Sequence, residues 1–337
     1  MRALMYTALK TLEMRDLPEP TLRNGEVKVR VGATGICGSD LHGFLGHSAR
    51  RQPGLVLGHE TVGVVTEGDE SLIGTRVSVN PLITCGFCAA CRGGRHNNCL
   101  TWRLLGMDQT SGAFGESVVV PRRNVHPIPA SVSDAAAVMV EPLANAFHIL
   151  SMIQPSAGLR PTAAIIGGGT LGACILSVAR ARGLQVLLVS EPNPLRAEVA
   201  RELGAARVLD PKEVDVVADV LEQTNGEGVS VAVDAVGSAA TRNTVAKLVC
   251  RGGTALLLGL DEGPTTFDFF DLIRREVRLQ TSFAYTEQNY SEALEFITQG
   301  AVDFGPWTDV LPLEQGQEAF ERLIANPGDR IKIALAP

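Results

Sequence analysis

A chain of 337 residues exceeds what one hydrophobic core usually supports, and 45% hydrophobic against 20% charged residues describes a folded globular protein, not a disordered one. A net charge of −7 leaves no general basic surface for nucleic acid or an anionic membrane, and no run of about eighteen apolar residues is present to span a bilayer. The opening stretch MRALMYTALKTLEMRDL has neither the apolar core nor the small-residue cleavage site of a secretory signal, so the cytosol is the expected compartment.

Residues 1 to about 130 read as short strands broken by Gly and Pro, at the spacing of a β barrel or sandwich. Val27, Val29 and Val31 alternate with polar neighbours, Arg76-Val77-Ser78-Val79 does the same, and Val118 to Val120 is a short apolar run. Soon after the first of these comes Gly35-Ile36-Cys37-Gly38-Ser39-Asp40-Leu41-His42, and Gly58-His59-Glu60 opens another apolar strand. Glu141-Pro142-Leu143 stands at an expected helix start, with Pro in the first turn. A cysteine, a histidine and a carboxylate drawn from separate segments make a three-ligand zinc site with one position open. Zinc there would lower the pKa of a substrate hydroxyl, and Ser39 and His42, in the same loop as Cys37, could pass its proton to solvent. Asp40 is the expected acceptor for the ring N–H of His59, since metal-bound histidines need one. Singly each residue has a blander reading, a packed cysteine or a satisfied core histidine. The joint pattern selects the metal site.

Four of the seven cysteines, Cys85, Cys88, Cys91 and Cys99, fall within fifteen residues of a Gly-rich loop. Such clustering in a large chain reads as metal ligation before disulfides. An iron–sulfur cluster could use the same ligands, but a closed shell of four thiolates around zinc suits a redox-silent brace, so this site is read as structural. Cys174 and Cys250 lie in apolar segments and read as buried packing residues.

From about residue 160 the pattern changes to β-rich runs beginning near Ala163, Gln185, Arg207, Ser230, Thr254 and Val277, most separated by helical segments such as Leu195–Leu203 and Thr241–Val249. Six strands alternating with helices indicate a parallel, doubly wound α/β sheet. The first run is followed by Gly167-Gly168-Gly169-Thr170-Leu171-Gly172, in which Gly167, Gly169 and Gly172 match G-x-G-x-x-G. The helix expected over Ala173–Arg182 would aim its first N–H groups at a pyrophosphate. Glu191 closes the next strand, nineteen residues past Gly172, where an acid binds the adenosine ribose hydroxyls and repels a 2′-phosphate. That favours NAD over NADP, with Arg196 bracing the ribose. A further helix over Gln288–Thr298 leads to a tail in which Ile331, Ile333 and Leu335 alternate, read as a strand returning to the first domain.

Taken in order, Gly-Ile-Cys37-Gly-Ser-Asp-Leu-His42, Gly58-His59-Glu60, the Cys85–Cys99 loop, Glu141-Pro-Leu-Ala and Gly167-Gly-Gly-Thr-Leu-Gly172 resemble the zinc-containing medium-chain dehydrogenase/reductase family across nearly the whole chain. The resemblance implies a GroES-like catalytic domain over 1–142, completed by 285–337, and a Rossmann domain over 143–284. It also implies one catalytic and one structural Zn2+, NAD as cofactor, a small alcohol or polyol as substrate, and assembly as a homodimer or homotetramer. Glu-Pro-Leu at Glu141 and the Ser282–Thr286 segment are similar to the sorbitol, butanediol and threonine dehydrogenase branch, in which the glutamate beside the zinc histidine, here Glu60, can itself bind the metal. Glu60 and Glu141 therefore both stand as the third ligand. Relatives often place an aromatic residue after the histidine corresponding to His42; here Gly43 leaves that wall of the pocket open. Arg50, Arg51 and His47 nearby read as solvated charge. A zinc-free reductase of the same architecture would not need Cys37 and His59, and a non-enzymatic NAD-binding protein would not need the Ser39–His42 relay.

Overall fold

The computed structural model describes residues 1–153, 162–260, 263–328 and 330–337. Contacts divide the chain into two units, Met1–Ala144 with Thr286–Pro337, and Asn145–Tyr285.

The first unit is built on a seven-stranded sheet. Its centre is strand Glu26–Gly35, which pairs antiparallel with Glu60–Glu67, with Ser117–Pro121 and, through Thr34 and Gly35, with Lys332–Ala336 near the end of the chain. Val27, Val29 and Val31 turn inward on one face and pack with Val65, Val77, Val79, Val118 and Val120. β-branched residues at a period of two suit such a half-buried pleat. The returning tail forms a strand, but not a two-faced one. Lys332–Ala336 lies between Glu26–Gly35 and Thr308–Pro312, and Lys332, Ile333, Ala334 and Leu335 are all buried, so both faces of this strand are covered. A second cluster, with Tyr6, Phe44, Leu57, Phe114, Phe320 and Ile333, fixes the short helix Gly38–Phe44 through its last residue, whose ring lies 5.3 Å from that of Phe320.

The second unit carries a six-stranded parallel sheet in the order Val208–Leu209, Gln185–Ser190, Thr162–Ile166, Val229–Asp234, Val249–Leu257, Arg278–Thr281. Counting strands along the chain, this is 3-2-1-4-5-6, the doubly wound dinucleotide-binding order. The helix after the first strand spans Thr170–Ala181 and begins three residues before Ala173. Cys174 is buried as expected, whereas Cys250, near the start of its strand, is only half-buried. Among the described residues no helix is long and apolar enough to cross a membrane.

Candidate functional site

Among the described residues, metal-ligating side chains converge in two groups, Cys85, Cys88, Cys91 and Cys99, and Cys37, His59 and Glu60. In each group one ligand atom per residue lies within 4.8 Å of all the others.

The cysteine loop folds its own backbone toward its sulfurs. Cys88 N donates to Cys85 Sγ at 3.3 Å, Cys91 N to Cys88 Sγ at 3.5 Å and Cys85 N to Cys99 Sγ at 3.4 Å. Burial works against ionising Cys99, but the N–H groups of Cys85 and Thr101 outweigh it and bring the thiol down to about 6. Burial pushes Cys91 up to about 11. The Cys85 sulfur lies 3.9 Å from that of Cys91 and 3.6 Å from that of Cys99, far beyond a disulfide. Those separations match the edge, about 3.8 Å, of a tetrahedron with zinc–sulfur arms of about 2.3 Å. The donor set fits zinc, and four thiolates leave no position for a substrate.

The second group is assembled by strand register. Gly35 pairs with Glu60 and also with Ala334, so Cys37, His59 and Lys332 arrive together at one end of three strands. Cys37 caps helix Gly38–Phe44, and its N–H donates to Asp40 Oδ2 at 3.1 Å, while Asp40 N donates to the Cys37 carbonyl at 3.0 Å. Asp40 Oδ1 lies 3.5 Å from His59 Nδ1, which leaves Nε2 of that ring for a metal. Burial pushes Asp40 up, but the charges of His59 and Arg51 and the Cys37 N–H outweigh it and hold the carboxyl at about 2. A thiolate, an imidazole and a carboxylate are a fitting zinc set with room for a fourth ligand.

Glu60 is gripped by a residue the sequence reading passed over. Lys332 Nζ lies 2.8 Å from Oε1 and 2.6 Å from Oε2 of Glu60 and donates to the Ile36 carbonyl at 3.0 Å. Burial lowers the Lys332 pKa, but Glu60, Cys37 and Glu141 together raise it above the ordinary lysine value. The signal was a lysine inside Ile331-Lys332-Ile333; alternation marks it as solvent-facing, and only the folded chain closes its amine in against Glu60 and the Ile36 carbonyl. Glu141 sits in the first turn of helix Val140–Ser151, buried and outside the Cys37–His59–Glu60 set. Ser39 and His42 are half-buried and three residues apart on helix Gly38–Phe44, hence on one face of it.

One reading is corrected outright. Arg50 is exposed, pairs with Asp108 and stacks 4.1 Å over Trp102, and His47 is exposed. Arg51 is only 3% exposed, and its Nε lies 3.4 Å from Asp40 Oδ1. A buried carboxylate recruits a counter-charge, and that outweighs arginine's usual preference for solvent.

In the second unit Gly167 takes φ +100° immediately after its strand, and a Cβ on Gly172 would collide with the Gly167 carbonyl. Gly169 caps the helix, so Thr170 and Leu171 occupy its first turn, where N–H groups have no intrahelical partner. Glu191 is buried, and Arg196 is half-buried beside it, its pKa lowered by burial against the pull of Glu191. Glu191 also does something the sequence did not reveal. Its Oε2 accepts from Gly168 N at 2.7 Å and its Oε1 from Asn193 N at 2.8 Å, so it braces the glycine turn and keeps one lone pair per oxygen for a ligand.

Comparison with known proteins gives two family matches, alcohol dehydrogenase GroES-like domain over residues 23–130 and zinc-binding dehydrogenase over residues 170–299. Sorbitol dehydrogenase of Bacillus subtilis (strain 168) is 32% identical, with 100% of this chain and 97% of that protein aligned. L-threonine 3-dehydrogenase of Pyrococcus horikoshii is 38% identical over 77% of this chain and 74% of its own. Among solved structures, alcohol dehydrogenase of Thermus sp. ATN1 superposes with a TM-score of 0.90 at 28% identity, covering 100% of this chain and 99% of that one. A Sinorhizobium meliloti 1021 chain described as a zinc-binding dehydrogenase, bound to NADP, does so at 0.89 and 28% identity, with coverage of 100% and 99%.

Proposed function

The chain belongs to the zinc-containing medium-chain dehydrogenase family, and from that premise we propose that it oxidises a secondary alcohol (a polyol, diol or related hydroxy compound) to the ketone, with NAD as hydride acceptor. The observation that carries this reading is the convergence of Cys37, His59 and Glu60 beside a helix that presents Ser39 and His42. The relatives point the same way, since sorbitol, threonine and butanediol all bear a secondary hydroxyl.

When bound, zinc would polarise the substrate oxygen and ease loss of its proton, and the nicotinamide would take the hydride. Cys37, His59 and Glu60 are the residues we assign to that zinc, with Glu141 the alternative carboxylate. Asp40 holds the His59 ring and Lys332 holds Glu60 in place. Ser39 and His42 move the hydroxyl proton outward. Gly167, Gly169, Thr170, Leu171 and Gly172 receive the pyrophosphate at the helix start, and Glu191 and Arg196 flank the ribose, with Glu191 selecting NAD. Cys85, Cys88, Cys91 and Cys99 hold a structural zinc, and clustered cysteines that form no disulfide suit the cytosol. For the homo-oligomer, strand Arg278–Thr281 at the edge of its sheet and the exposed Phe269, Phe270 and Ile273 on helix Phe269–Arg275 offer a surface.

A screen of polyols, diols, sugar phosphates and β-hydroxy amino acids, followed by NADH formation, tests the reading. Turnover of at least one secondary alcohol, abolished by removing zinc and restored by returning it, is expected. No NADH formation across the panel, or full turnover by stripped enzyme, would overturn it.

A further inference from the structure

Asp40, Arg51 and His59 are 0%, 3% and 2% exposed, a buried group of three ionisable side chains joined through a single oxygen, Asp40 Oδ1. A histidine that ligates zinc does so as neutral imidazole. Once zinc is held, Arg51 is the full positive charge within ion-pair distance of Asp40 among the described residues. A carboxylate with no exposure and no counter-charge is costly to keep in place, so without Arg51 it would be displaced and would release the ring it holds.

The path of Arg51 to Asp40 depends on Gly43. That glycine is buried in helix Gly38–Phe44, where glycine is unfavourable relative to alanine. A Cβ built on it would lie 2.7 Å from Arg51 Cβ and 2.9 Å from Arg51 Cδ. The space above position 43 is therefore not an open wall of the substrate pocket; the stem of Arg51 occupies it.

We propose that Arg51 is a positioning residue for the catalytic zinc, seated on Gly43 and holding Asp40 against His59 so that the histidine keeps its ligating orientation. This rests on the reading of Cys37, His59 and Glu60 as the zinc site. Charge and packing are separable, since methionine keeps much of the stem without the charge and lysine keeps the charge without the planar fork.

The test is the rate of zinc release to a chromogenic chelator from the full chain, with the four-cysteine ion as internal reference. Arg51→Met is expected to release one ion about tenfold faster, in the range for groups that support a metal ligand, with the reference ion unchanged. Gly43→Ala, which leaves Arg51 in the chain but takes away its seat, is expected to do the same and carries the test if Arg51→Met fails to fold. Arg51→Lys is expected to restore most of the difference. Release at the wild-type rate in both Arg51→Met and Gly43→Ala would overturn the proposal, and so would an Arg51→Lys variant no better than Arg51→Met. His59→Ala separates the two levels. If it keeps both ions, the zinc reading itself fails; if it loses one while Arg51→Met loses none, only the role of Arg51 fails.

Discussion

The loop from Cys85 to Cys99 brings four ligands together within fifteen residues, and its own N–H groups turn toward the sulfurs. The Cys37–His59–Glu60 cluster draws on two strands and a helix cap, and its supports reach across the sequence to Arg51 and Lys332. Both lie in the same unit, and under the proposed function the difference between them is one of purpose. A site that only braces a loop can be closed and local, since nothing but its own geometry has to be right. A site that must keep one position open needs its ligands held from behind, and here that holding is done by buried charge: Asp40 behind His59 and Lys332 behind Glu60.

On that contrast, the largest effect comes from the open site. Cys37→Ser or His59→Ala should lower kcat by about a thousandfold or more, the several kcal/mol expected of lost Lewis-acid stabilisation. NADH affinity, measured by fluorescence titration, should stay close to wild type, because the glycine turn and Glu191 belong to the other unit. A parallel loss of NADH binding would mean that the variant is misfolded and says nothing of chemistry.

Lys332 sharpens the comparison from behind. Lys332→Met leaves the Glu60 carboxylate buried without its cation, at a cost of about 3–5 kcal/mol for a broken buried pair. Zinc would partly replace the missing charge, so the loss in denaturant stability should be greater for the zinc-stripped protein than for the loaded one. Equal losses in the two states would separate Glu60 from the metal.

These supports also mark where the sequence stopped being legible. The strand periodicities, the parallel sheet and the cysteine spacing could all be read, because each depends on neighbours close along the chain. Lys332 could not, because a lysine between two isoleucines alternates like a surface residue until Glu60, far away in the sequence, meets its amine. Arg51 could not, because its partner lies on a preceding helix and its seat is a missing side chain, Gly43. The place of Glu191 at the end of its strand was legible, but its two backbone donors appear only when the chain folds back on Gly168.

A smaller effect is expected in the second unit, where Glu191→Ala should weaken NAD binding by roughly the 1.5–3 kcal/mol of hydrogen bonds to a charged group. The NAD-to-NADP ratio of kcat/KM should fall, with Arg196 freed to meet a 2′-phosphate. A wild-type enzyme that already prefers NADP, or a ratio that does not move, would leave Glu191 with its backbone role alone.

The most direct measurement is the number of zinc ions per chain, by elemental analysis of protein purified without added metal, for the wild type, Cys37→Ser and Cys99→Ser. Two ions are expected in the wild type and about one in each variant. The losses should have different consequences. Cys37→Ser should keep its thermal stability and lose turnover, whereas Cys99→Ser should melt roughly 5–10 °C lower and still turn over below that temperature. One zinc per wild-type chain, iron in the four-cysteine loop, or two variants with the same phenotype would contradict the division into a closed brace and an open reactive centre.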